Sequence, residues 1–406
     1  MKRTVTILMI LFSSLVSLLI GSCNLRLYAS LYDPGRSDLP AQLTFLREAL
    51  EGGTAVNMQQ LFPEGYFFSY VLYGLAWTNW GSTNPDRQAQ AIEEARWALH
   101  ALESAAGRAV FSPTLDPPYG VFYAGWKSYL HGSILRLQDA PERDSADVER
   151  YQNDLDALAQ AFERSETPFL PAYPGQSWPV DSVVGMAALR LHDEVFTPQY
   201  GSVIDRWLRE AQTRLDPGTG LLPHRANLGT GAPVENARGS SQSLIAYFFT
   251  QIDPEWGKEQ YEGFRQRFVV NYLGIPGTLE YPAGVVGLGD IDSGPLIFGV
   301  SLSASVVTAA AARANGDTAL ADAILDVGEA LGFPITWAGS KRYALGLLPV
   351  GDAFVAWARS IPAAPTSEDT LLPIPPVLWR IPLHLISALL LVLLWVGVVW
   401  LWRRTR

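Results

Sequence analysis

Two kinds of apolar pattern alternate along the middle of this chain. In one, hydrophobic residues recur at i, i+3 and i+4. From Asp86 to Ala105, for example, Ile92, Ala95, Leu99 and Leu102 share a stripe while Arg87, Glu94 and Glu103 lie off it. The same spacing marks Asp144 to Glu166, Gln199 to Leu215, Glu255 to Val270, Asp317 to Leu331 and, more briefly, Ala41 to Glu51. Such a stripe predicts an amphipathic helix with one buried face. In the other kind, apolar or small residues run nearly all round, as in Val183 to Leu191, Leu244 to Phe249 and Pro295 to Ala312. A helix without a polar face has to be buried on every side.

The buried set begins near Glu64, Pro118, Asp181, Arg238, Asp292 and Lys341, at intervals of 54, 63, 57, 54 and 49 residues. Each interval fits two helices with their turns, and a period of that length signals a repeat architecture. Six buried helices inside six amphipathic ones predict an all-α (α/α)6 toroid over residues 36–359. Links from an outer helix to the next inner one are long and rich in Gly and Pro (Asp216 to Asn236, Asn271 to Gly289). The opposite links, His192 to Pro198 and Ala314 to Asp317, are short. Long loops therefore gather at the N-terminal ends of the inner helices, and functional residues concentrate on such loops. With no sustained strand alternation, a β-sandwich or doubly wound sheet is not expected.

Both ends of the chain break this pattern. Ile381 to Trp402 is apolar without an acidic or basic residue and is followed by the basic tail 403–406. Twenty-two helical residues span about 33 Å, enough for a bilayer core. The arginines behind the stretch favour a cytoplasmic C-terminus, and Trp379, Trp400 and Trp402 lie where an aromatic belt would. At the other end, Lys2 and Arg3 precede an uncharged run that ends Leu19-Ile20-Gly21-Ser22-Cys23. Residues 1–23 read as an export signal or anchor, and Cys23, the only cysteine, stands where a bacterial lipoprotein would be lipidated. An uncleaved signal anchor with an incidental cysteine explains the same residues. Pro362, Pro365, Pro373, Pro375 and Pro376 make 360–380 a stiff linker. The body should then lie outside the cytoplasm.

Six of the 30 basic residues belong to these ends, so the middle of the chain carries 24 against 40 acidic ones, a net charge of −16. Without a basic cluster, nucleic acid and anionic lipid surfaces are poor partners for the body. The five histidines show no metal-ligand spacing, and neither a phosphate loop nor a nucleophile elbow occurs. No metal and no cofactor are expected.

If the toroid forms, one end collects polar groups. Asp181-Ser182 and Asp292-Ser293 occupy matching places in their repeats, each at the start of a buried helix, with Glu235, Glu280 and Arg238 nearby. Helix capping alone accounts for an Asp in that place. Carboxylates facing one another across a mouth also suit glycoside hydrolysis, one as acid and the other as base or nucleophile. Asp181 and Asp292 are then the acid/base candidates, with Glu235 a third. Trp178, Tyr119, Tyr123, Trp126 and Tyr173 could stack on sugar rings, although ordinary packing explains aromatic residues there equally well. Arg238 and His224 could hold an anionic group or pair with neighbouring acids.

The stretch Val121-Phe122-Tyr123-Ala124-Gly125-Trp126 and the run from Tyr173 through Asp181 to Leu191-His192-Asp193 resemble the linalool dehydratase/isomerase family. The resemblance covers about half of the body and implies an (α/α)6 toroid with its active site at the barrel mouth. That family places a histidine near Trp126 and cysteines near Tyr173 and Asp181; this chain has neither type there, so terpene alcohol chemistry does not carry over. Three functions remain open: a carbohydrate-active hydrolase, a lyase or isomerase on a small apolar alcohol, and a non-catalytic envelope-binding module. The first expects a glycan substrate, the second a closed apolar cavity, the third acids consumed by caps and ion pairs.

Overall fold

The computed structural model describes residues 2–34, 36–365 and 378–405. Among these, six inner helices form a closed ring: Gly65–Thr83, Gly120–Arg136, Pro179–Val195, Gly239–Ile252, Leu302–Ala314 and Pro349–Ser360. Each packs on the next, and the sixth packs on the first. Outside them lie Gln88–Leu102, Ser145–Arg164, Gly201–Gln212, Pro254–Phe268 and Thr318–Leu331. The N-terminal helix Leu39–Glu51 covers the sixth inner helix and completes the outer layer. This is the (α/α)6 toroid.

The inner helices are apolar all round because they touch neighbours on both sides and an outer helix behind. In the second and third, Val121, Leu130, Ile134, Val183, Val184 and Leu189 are fully buried. Those two helices cross at Gly125 and Gly185, where a Cβ on Gly125 would lie 2.9 Å from the Gly185 nitrogen. Only glycine allows that approach. The outer helices begin at side-chain caps where the sequence supplies them: Asp144 accepts from the Asp147 N–H, Asp253 from that of Trp256, and Asp317 from that of Leu320. Closure of the ring is polar. Gln42 donates to the Asp352 carbonyl at 3.0 Å and accepts from Arg359 at 2.9 Å, and the same arginine pairs with Asp38.

Two expected helix starts are corrected. The fifth inner helix begins at Leu302 and the sixth at Pro349, so neither Asp292 nor Lys341 opens a helix. The apolar run after Pro295 first forms a hairpin, Leu296–Ile297 against Val300–Ser301, turning at Phe298-Gly299. Lys341 lies in Ser340–Arg342, which pairs with Ile335–Trp337. A further hairpin joins Val269–Tyr272 to Ile275–Leu279, and Thr278 and Leu279 pair with Ser301 and Val300 to make a four-stranded antiparallel sheet. Arg225–Ala226 pairs with Pro233–Glu235. These hairpins all occupy long links from an outer to an inner helix, at the N-terminal end of the ring, which we call its mouth.

Helices Lys2–Arg26 and Ile381–Thr405 lie outside the ring, the first with its end against the outer helix Thr318–Leu331, and two stretches, Val5–Arg26 and Leu378–Arg403, are long and apolar enough to cross a membrane. They pack antiparallel: Asn24 donates to Ser387 at 2.8 Å, and Trp395 donates to Ser17 at 3.0 Å. The expected Pro-rich linker falls largely on residues 366–377, outside the described residues.

Candidate active site

Asp181 lies in the first turn of the third inner helix, whose start is set by Pro179 at its first position. It does not cap that helix; the capping position is Trp178, which makes no side-chain cap bond. The fifth inner helix is capped by Ser301, not by Asp292 or Ser293. Asp292 sits instead in the loop before the 296–301 hairpin, where its N–H donates to Asp290 Oδ1 at 3.1 Å and its carbonyl accepts from Ser303 at 2.9 Å. The expectation that the two aspartates occupy matching helix starts is therefore corrected for Asp292. Neither carboxyl group is used as a helix cap. Among the described residues, neither accepts a hydrogen bond or joins an ion pair.

The two are nevertheless close enough to feel one another. Asp181 is 6% exposed, and burial, then the negative charges of Glu64 and Asp292, push its carboxyl well above the ordinary range. Asp292 retains solvent access, yet enough protein surrounds its carboxyl to desolvate it. Together with the charges of Asp290 and Glu64, this raises it to about 6. Glu64 precedes the first inner helix and accepts a hydrogen bond from the Tyr173 hydroxyl. Burial first, then Glu64, Asp181 and Asp292, raise that phenol. Trp178 packs edge-to-face on Tyr173, with centroids 5.9 Å apart. The mouth thus brings together Glu64, Tyr173, Trp178, Asp181 and Asp292 from three separate segments of the chain, before the first, third and fifth inner helices. Sequence reading marked Glu64 only as a helix start; its place at the head of an inner helix, like that of Asp181, was the available signal.

A second group of charges lies beside this one and is tied together by ion pairs. Glu235 pairs with Arg225 at 2.8 Å and lies 3.8 Å from Arg238. Arg238 binds Glu280 at 2.7 Å and Asp290 at 2.6 Å, though its buried Nη2 has no hydrogen-bond partner. Glu280 is fully buried, and burial raises its carboxyl despite the guanidinium. His224 contacts Ser241 through Nδ1 at 2.6 Å. Burial, then Arg238, lower the imidazole to about 3, so it is neutral at physiological pH.

The remaining predicted aromatics do not join Asp181 and Asp292. Trp126 is 1% exposed and packs edge-to-face on Phe68 and Phe248 inside the ring. Tyr123 is buried, donates to the Leu102 carbonyl at 3.2 Å and accepts from Arg108 at 3.1 Å. Tyr119 precedes the second inner helix and packs on Tyr123. An open cavity at the rim is lined by Gly175, Gln176, Arg225 and Asn227.

No family model matches the sequence, and no curated protein matches it. Among solved structures, the chain is similar to an unsaturated glucuronyl hydrolase specific for heparin, with 13% identity and a TM-score of 0.47, over 72% of this chain and 84% of that one. It is also similar to a UGL variant with dGlcA-Glc-Rha-Glc, with 16% identity and a TM-score of 0.45, over 71% and 84% of the two chains.

Proposed function

We propose that this chain is a membrane-anchored, extracytoplasmic enzyme of the glycoside hydrolase type, with Asp181 as general acid and Asp292 as base. The observation that carries the reading is a pair of mutually interacting carboxyl groups left without caps or ion pairs at the mouth of the ring. Asp181, the more deeply buried, has its carboxyl pushed well above the ordinary range, while Asp292, raised to about 6, is mostly ionised at neutral pH. Two carboxyls whose environments separate their proton affinities divide naturally into acid and base. Glu64 raises both, and Tyr173 and Trp178 offer ring faces beside them.

A binding module would have its acids consumed by cations. That describes Glu235, Glu280 and Asp290, each held by Arg225 or Arg238, but not Asp181 or Asp292. Glu235 is accordingly moved from third acid to part of the group that fixes Arg238. A lyase on an apolar alcohol would want an apolar chamber, which a cluster of three carboxyls does not supply.

For the ends of the chain, the reading is that both apolar helices are retained as spans and both termini are cytoplasmic. Support comes from the N-terminal helix running unbroken through Cys23 to Arg26 and packing on the C-terminal one, and from the basic residues at both ends of the sequence. In the full-length protein, Asp181→Asn and Asp292→Asn should each reduce turnover of the best substrate in a glycan library by about 10²–10⁴-fold. Turnover unchanged by both substitutions overturns the assignment.

A further inference from the structure

The chain leaves the body at a definite end. Running back from Leu39, Arg36 pairs with Asp322 at 2.8 Å. Ser30 then binds Asp326 through its N–H at 2.8 Å and its hydroxyl at 2.7 Å, and Arg26 donates to the Pro334 carbonyl at 3.0 Å. The partners climb the outer helix Thr318–Leu331 in order, from its start to beyond its end. That end leads into the sixth inner helix and so is the mouth end of the ring. The C-terminal span departs from the same place: Arg380 binds Asp326 at 2.6 Å, and the Trp379 carbonyl lies against Gly274 at the tip of the 269–279 hairpin. Both spans therefore emerge beside the mouth.

The surface apolar residues are distributed with the same polarity. Between residues 36 and 361, every exposed large hydrophobic side chain lies in or next to a segment that leads into an inner helix. The connections at the opposite end (84–87, 137–144, 196–200, 253 and 315–317) expose none. The residues at the mouth are large and prominent: Val286 is 98% exposed, Leu288 87%, Phe298 88% and Trp337 75%. Scattered exposed apolar residues are ordinary, but their restriction to one end marks an interaction surface. Two of the hairpin tips place a bulky apolar residue in the left-handed region, Leu273 at φ 52° and Phe298 at φ 52°. Asn, Asp or Gly would be easier there on both conformational and solvation grounds. The tip at Leu273-Gly274 already touches the head of a span.

We infer that the mouth of the ring rests on the bilayer that the two spans cross, with the hairpin tips in its interfacial layer, and that the ligand of Asp181 and Asp292 is borne on that membrane. The occupant of the apolar rim is the lipid surface, because the rim is continuous with the helices that enter it. Resting on the glycosidase reading, the substrate class becomes a saccharide carried by a lipid, presented headgroup-first to the acids. An open-water polysaccharide would instead require the mouth to face away from the spans.

The test needs no turnover, so its failure is distinct from failure of the glycosidase assignment. In full-length Cys23→Ser protein reconstituted in phosphatidylethanolamine/phosphatidylglycerol vesicles, single cysteines are placed by Asp292→Cys, Gln176→Cys, Phe298→Cys and Glu142→Cys. Each is offered maleimide on a phosphatidylethanolamine headgroup and, separately, a water-soluble polymeric maleimide. Positions 292, 176 and 298 should react with the lipid-borne reagent at least ten times faster than position 142, at the far end of the body. Position 142 should react only with the polymer. Gln176→Cys and Phe298→Cys lie on exposed loops and report even if Asp292→Cys fails to fold. Equal lipid-borne reactivity at 142 and at the mouth positions, or mouth positions modified only by the soluble polymer, overturns the inference.

Discussion

At the scale of single residues, the mouth rests on a difference between two aspartates. Asp181 is enclosed and Asp292 is at a loop surface, so burial acts more strongly on the first, while the charge of Glu64 acts on both. With Asp292 as base, kcat/KM should rise as pH passes about 6 and fall only where Asp181 loses its proton, well above the ordinary carboxylate range. A pH–rate profile reads both limbs. Glu64→Gln removes a negative charge that favours the protonated form of each, so both limbs should move to lower pH; limbs that stay in place would remove Glu64 from the site. That Asp181 and Asp292 meet at the mouth was legible because both stand at or before inner helices. Glu64 was not, because its chemistry depends on Tyr173 reaching across from a link more than a hundred residues away. Tyr123 and Trp126 were misplaced for the opposite reason. An aromatic residue on a helix buried all round has no polar side to reveal whether it faces the opening or the core, and theirs face the core.

At the scale of elements, amphipathic stripes located the outer helices to within a few residues, since one wet face and one dry face leave a period that sequence records directly. The inner starts at 302 and 349 were not legible. A short apolar run such as Leu296–Ser301 satisfies a buried helix and a hairpin equally, and only Gly294 and Gly299 hinted at the turns. Helix-to-helix contacts are legible least of all. Asp147, on the outer helix Ser145–Arg164, accepts from His131 of the second inner helix at 3.0 Å and pairs with Arg96 of the preceding outer helix at 2.7 Å. The bond to His131, then Arg96, hold its carboxyl below the ordinary range against the opposing effect of burial. A carboxyl with a lowered folded pKa contributes stability fully above its unfolded pKa of about 3.9, and loses it as pH falls through the folded value. Asp147→Asn should therefore cost about 3 kcal/mol at pH 7 and about 1 kcal/mol less at pH 3. Urea melts at the two pH values would show this, and an equal cost at both would contradict the network's ionic character.

For the whole molecule, the decisive joint is between the ring and its two spans. Its small apolar cluster, Leu27, Ala323, Ala330 and Trp379, is almost solvent-free, and it surrounds one carboxylate, Asp326, which is 1% exposed. Ser30, just after the N-terminal span, reaches that carboxylate from one side and Arg380, at the head of the C-terminal span, from the other, so a single residue of the body ties down both connections. Replacing a buried carboxylate that serves a guanidinium and a backbone N–H typically costs about 3–5 kcal/mol. The ring has its own closure, through Gln42, Arg359 and Asp38, and does not share this joint. The effect of Asp326→Ala should accordingly be confined. Hydrogen exchange in full-length protein in vesicles should accelerate by about 10²-fold or more over residues 27–36, the change expected from about 3 kcal/mol of local opening, while the inner helix Gly239–Ile252 keeps its protection. If the mouth is held against the bilayer by this joint, lipid-borne maleimide should also reach position 298 more slowly in the Asp326→Ala background. Exchange that rises uniformly over the ring would mean that spans and body fold as one unit, and that Asp326 supports the whole structure instead of aiming it.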